Sequence, residues 1–362
     1  MTIAVSVYGP AGASTTSDER IKQATDLSAD FLIRTQNNTG LFDYDISFKT
    51  GRPTGKASIV RQAGTGFSLA EYLAATQAPH AREPVRKVLD ALQKRSLIFR
   101  KNSQWIVGTG RSISKSRTGA TALALLIELN YYRTTGSGRY EAARRAWLNG
   151  LLALRLGKRG FRRTPYSRVE SPYFNGEAWL ALATYQDTFR DPKIGEVLAG
   201  LDDYLVSKYT KKPDIGFYHW GVMAAAVRYK NTRDLRLLKF IEDQTRAYLE
   251  DLRPKVKPTH NTCYALEGLV TASDVLNASW SASAIVPALS QRIQAETEKN
   301  LDFQLLDPAE VTEPPQRRRG KPFDPNEYVG LYYARSDKAY SRIDYTQHCL
   351  SAFLKMRPGE RP

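Results

Sequence analysis

The chain has 362 residues, 42% of them hydrophobic, enough for one large domain or two ordinary ones. Lys and Arg number 53 against 37 Asp and Glu, and the formal net charge of +16 points to an anionic partner: nucleic acid, acidic polysaccharide or a membrane surface. Two cysteines exclude a disulfide scaffold, and no apolar run reaches the roughly 18–20 residues of a membrane span, so a membrane is not expected among the partners.

Residues 1–16 lack the basic start and long apolar stretch of a signal peptide and read as a flexible segment. That leaves the compartment open, with a processed secreted or periplasmic protein as one option. From residue 17 to 357 the periodicity predicts one all-α domain, followed by a tail at 358–362. Helices are expected near 17–36, 58–77, 80–99, 114–134, 138–156, 171–189, 191–209, 215–230, 232–250, 259–277, 280–303 and 341–355.

These segments alternate in kind. The odd-numbered ones, such as HAREPVRKVLDALQKRSLIF, are charged and carry one apolar stripe. The even-numbered ones, such as RQAGTGFSLAEYLAA and YHWGVMAAAVRY, are apolar on most sides and rich in small residues, as buried helices are. Six alternations of outer and inner helix predict a closed (α/α)6 toroid rather than an open solenoid. The last step is longer and holds a Pro-rich, basic loop insertion at 306–340.

This layout, with polar inner-helix starts IVRQAG, YFNGEAW, FYHWG, THNTCYALEG and RIDYTQH, resembles the six-hairpin toroid enzymes. Those include glycoside hydrolases, polysaccharide lyases and sugar epimerases such as the glucuronyl C5-epimerase catalytic domain. The resemblance covers most of the chain but rests on architecture, without a diagnostic motif. It implies a carbohydrate cleft at one end of the toroid.

The inner helices also carry most of the chain's chemistry. Glu177 sits a turn and a half into an apolar helix, too deep to act as a capping-box acid after Ser171-Pro172. Burial there suits a general acid. Glu267 and Asp344 are the other inner-helix acids, although Ser341 and Asp344 have capping-box spacing. His219, His260 and His348 lie near inner-helix starts, and with Tyr173 they complete the catalytic candidates. Arg61, Arg117 and Arg342 are placed at inner-helix N-termini, where a cation is locally unfavourable. Either an ion-pair ring or a bound anion would compensate them. Gln62, Tyr218, Trp220 and Tyr345, with Tyr44 and Asp45 from LFDYDISF, complete the expected saccharide-binding set.

A zinc site from His260, Cys263, His348 and Cys349 matches no common spacing, and no metal or cofactor is expected. No phosphate-binding glycine loop or nucleophile elbow is present in the sequence. The leading expectation is acid–base hydrolysis of an acidic poly- or oligosaccharide, with Glu177 as acid and Asp344 or Glu267 as base. The first alternative is a lyase or uronate epimerase with a Tyr or His base and an Arg neutralising the uronate. The second is a basic helical scaffold for nucleic acid or protein, carried by the runs at 157–168, 316–322 and 86–117.

Overall fold

The computed structural model describes residues 17–55, 57–279, 283–311 and 324–357. The outer helices are α1 (Ser17–Arg34), α3 (Pro79–Lys94), α5 (Glu141–Ala153), α7 (Pro192–Lys211), α9 (Leu235–Ala247) and α11 (Val286–Leu301). The inner helices are α2 (Ile59–Thr76), α4 (Thr118–Thr135), α6 (Pro172–Phe189), α8 (Ile215–Thr232), α10 (Cys263–Ser279) and α12 (Ile343–Met356). Each inner helix packs on the next, and α12 packs back on α2. That last contact closes the ring, so the fold is an (α/α)6 toroid. None of the described helices is long and apolar enough to cross a membrane.

The two kinds of connection differ in length, and this places the cleft. Helices α2, α4, α6 and α8 end in left-handed residues, Gln77, Gly136, Arg190 and Arg233, and the chain turns at once toward the next outer helix. Asp191 and Asp234 cap the outer helices that follow, each accepting a bond from a backbone N–H two residues on. Apart from the short step from α7 to α8, the returns from outer to inner helix are long, and they crowd the end where all inner N-termini emerge. There β1 (Asp45–Ser47) pairs antiparallel with β4 (Tyr340–Arg342), tying the first hairpin to the last.

Buried ion pairs bind the layers together. Arg228 of α8 grips Asp202 of α7, and Arg144 of α5 meets Glu128 of α4 at 2.8 Å. Burial lifts the Glu128 carboxyl to about 7 despite that partner.

Several expected boundaries move. The third helix stops at Lys94, and Ser96–Phe99 (β2) forms a hairpin with Lys101–Val107 (β3) around Arg100, whose φ is 44°. The apolar run SLIF continues the helical stripe in sequence, but its aromatic and β-branched residues suit a strand. Helix α4 starts at Thr118, with Arg117 as its N-cap, and helix α12 starts at Ile343, with Arg342 as its N-cap. The expected capping box therefore does not form. Ser341 sits in β4 and donates to the Tyr332 carbonyl. Within the insertion, Pro308–Glu310 and Pro325–Tyr328 are short 3-10 turns. The basic run at 316–322 lies outside the described residues, as do the predicted segments 1–16 and 358–362.

Candidate active site

A cavity of about 510 Å³ opens where the inner N-termini converge. Its wall includes Arg61 from α2, Arg117 before α4, Tyr173 and Glu177 from α6, and His219 and Trp220 from α8. Arg342, Asp344, Tyr345 and His348 come from the α12 end. Asn261 and Tyr264 join them from α10 and the turn before it.

Glu267 lies just behind this wall, 2% exposed, and its Oε2 stands 3.0 Å from His348 Nδ1. Burial alone would lower the His348 pKa. The negative charge of Glu267 and its hydrogen bond outweigh burial and raise it. In the neutral imidazole, Nδ1–H donates to the carboxylate, which leaves Nε2 as the basic atom. The Cys263–Cys349 disulfide links α10 to α12 beside this pair. The bridge removes both sulfurs from any zinc site.

His219 stands opposite, its ring centroid 5.6 Å from that of His348. It is 1% exposed and neither ring nitrogen has a hydrogen-bond partner. Burial, then the nearby His348 and Lys355 charges, push its pKa well below the usual 6.5, so the ring is neutral. Tyr173, Trp220 and Tyr264 surround it edge-on or tilted.

Glu177 is 4% exposed and its Oε2 has no partner. Burial raises its pKa well above 4.5, so it is a neutral acid. Gly119 makes room for it: a Cβ there would lie 2.0 Å from Oε2. The linkage has a definite sign. Above pH 4.5 the unfolded chain loses this proton and the folded chain keeps it, so stability falls as pH rises toward the folded pKa. Gln cannot ionise. The melting temperature of Glu177→Gln should therefore gain on that of the parent as pH rises above the ordinary carboxyl range toward the folded pKa. A difference that stays constant with pH would mean an ionised Glu177 in the fold.

The three arginines divide. Asp344 accepts from Arg61 Nε at 2.9 Å and is also gripped by Arg342. Arg61 also donates to the Tyr44 hydroxyl. Among the described residues, the Arg117 guanidinium bonds only to the Ser116 carbonyl and meets no carboxylate. An ion-pair ring thus accounts for two of these cations and leaves Arg117 over.

Besides Glu267, five expected site residues lie off the cavity wall, Tyr44 among them, held by Arg61. His260 precedes α10, bridges to Arg335, and contacts the Thr259 hydroxyl. It was placed on a helix that in fact begins at Cys263. Tyr218 points into the outer layer and stacks on Tyr248 at 4.4 Å. Gln62 bonds through both ends of its amide to the Phe42 backbone. Asp45 accepts from the Thr54 N–H and the Tyr340 hydroxyl. These last two hold the LFDYDISF segment in place. Asn261 was missed although it has a signal: its Oδ1 accepts the Cys263 N–H two residues on, as Asn does at a helix start.

His219, Glu267 and His348 offer ligand atoms within 4.8 Å of one another, a set spaced to hold a metal ion. Glu267 already serves His348 Nδ1 in this arrangement.

No family model matches the chain, and no curated protein matches it in sequence. Solved structures do match in fold. A sugar epimerase from a ruminal bacterium aligns with TM-score 0.66 at 12% identity, over 95% of this chain and 99% of its own. An unsaturated glucuronyl hydrolase specific for heparin aligns with TM-score 0.61 at 12% identity, over 94% and 97%. The alpha-1,6-mannanase GH76A from Salegentibacter sp. HEL1_6 aligns with TM-score 0.66 at 9% identity, over 93% and 98%. All three chains are matched almost end to end, so the toroid is the whole of the shared architecture.

Proposed function

We propose that this protein is a carbohydrate-active enzyme that moves a proton at a sugar carbon, the chemistry of epimerases and isomerases, on a saccharide bearing a negative charge. One observation carries the reading: a Glu267-supported His348 faces a neutral, unpartnered His219 across the cavity. His348 Nε2 would take the proton next to a carbonyl, and Glu267 would stabilise the imidazolium. His219, being neutral, would donate its N–H to the developing oxyanion, and the His348 imidazolium would return the proton to carbon. Tyr173 and Trp220 supply rings for the sugar. The similar sugar epimerase fits this chemistry.

The charge balance supports an anionic substrate. Arg61 and Arg342 share Asp344, Glu267 faces His348, and Arg117 is left to meet a uronate or sulfate. Losing one charge-assisted hydrogen bond costs about 1.5–3 kcal/mol. Arg117→Gln should therefore raise KM about 10- to 100-fold for the acidic saccharide and hardly affect a neutral analogue. Equal effects on both would remove Arg117 from recognition.

A second reading, hydrolysis, is favoured by Glu177, a protonated carboxyl with a free oxygen on the same wall. The similar mannanase and glucuronyl hydrolase fit it. A binding scaffold would carry its positive charge on an outer face around a closed centre. Here Arg61, Arg117 and Arg342 line the cavity that holds Glu177 and the histidines, which supports an enzyme. The disulfide supports an oxidising compartment.

Incubation with neutral and acidic saccharides, read by mass and NMR, tests the proposal. An epimer or isomer of unchanged mass is expected, and products that gain water would establish hydrolysis instead. Proton transfer by His348 also requires the ring to be free of metal, so dialysis against EDTA should leave turnover unchanged. A loss restored by a divalent ion would recast His219, Glu267 and His348 as ligands.

A further inference from the structure

The toroid has a second opening at its other end. A cavity of about 560 Å³ lies between the C-terminal halves of the inner helices. Phe67, Leu126, Leu180 and Met223 form its buried floor, and half-buried Val227 and Val275 form part of its wall. The Phe67 ring rests 6.0 Å from that of Trp220, which lines the upper cavity, so these rings stand between the two spaces. The cavity stays open because the turns at this end are too short to reach over the axis. Its size and apolar lining are those of a small-molecule site.

Charge at this end is unevenly satisfied. Arg133 pairs with Asp187, and Lys355 pairs with Glu71. Exposed Lys230 and Arg233 meet no carboxylate among the described residues, and Arg233 only covers the Tyr229 ring. Asp274 is also on the wall, so the lining holds four basic side chains against two acidic ones.

We propose that this cavity binds a single-chain aliphatic carboxylate, its chain on the apolar axis and its head at Lys230 and Arg233. A polypeptide fits less well, because backbone amides on the apolar floor of Phe67, Leu126, Leu180 and Met223 would find no side-chain hydrogen bond there. The site is independent of the reaction proposed above.

Calorimetric titration of the intact protein with decanoate, below its micellar concentration, tests this. Saturable binding of one decanoate per chain is expected. Lys230→Glu with Arg233→Glu should weaken it at least tenfold and leave decanol binding within about twofold. Ala226→Trp, which fills the cavity, should abolish binding while the melting temperature is kept. If that variant does not fold, Val275→Glu, at a half-buried wall position, replaces it with the same expected loss. Binding that never saturates, that survives these wall variants, or that does not distinguish decanoate from decanol in the charge-reversed protein would overturn the proposal.

Discussion

Replacing His348 with Gln is expected to lower kcat about 10²- to 10⁴-fold, the usual worth of a positioned acid–base group. The fold should survive, because His348 lines a cavity and, among the described residues, its ring is hydrogen-bonded to Glu267 alone. The pH profile makes the prediction specific. Glu267 raises the His348 pKa above the ordinary 6.5 in spite of burial. A base acts in its deprotonated form, so kcat/KM should rise with pH through that raised value. Glu267→Gln removes the charge, so the acid limb should move to lower pH while the plateau drops. A limb that stays in place in Glu267→Gln would show that another group is the base.

Removing the disulfide should cost the most stability. The bridge spans a sequence separation of 86 residues, and the chain-entropy model for a loop of that size gives about 4.5 kcal/mol. Cys263→Ala with Cys349→Ala should lower the denaturant midpoint accordingly. Full reduction of the parent, checked by thiol titration, should do the same. There is a second consequence. Cys349 follows His348, and Cys263 precedes Tyr264 on the helix that carries Glu267. A folded variant should therefore also lose kcat, because the two helices that hold the acid–base pair are less firmly joined. An unchanged midpoint after complete reduction would mean that inner-helix packing alone holds them.

The toroid was legible because burial on all sides leaves a strong mark. YHWGVMAAAVRY and RTGATALALLIEL cannot be surface helices, and their alternation with charged segments sets the two layers. Boundaries were less legible at the loop-rich end, where tertiary contacts decide. Arg342 became a cap itself because the hydroxyl residue before it, Ser341, is claimed by the Tyr332 carbonyl.

The site followed the same pattern. Glu177 announced itself by having no local partner, and its Oε2 has none in the fold. The His348–Glu267 contact joins residues 81 positions apart, and no local spacing encodes it. His260 falls before a helix that begins only at Cys263, and Tyr218 turns outward because one residue on a helix rotates a side chain by about 100°, while its neighbour His219 faces the cavity.

The central claim is proton transfer at a sugar carbon by His348. It is tested most directly by incubating an acidic saccharide with the enzyme in D2O and following deuterium by NMR and mass. The account predicts deuterium at one carbon, in substrate or epimer, without gain of water, and its loss in His348→Gln. Products that gain water but carry no carbon-bound deuterium would contradict it and make Glu177 the residue to follow.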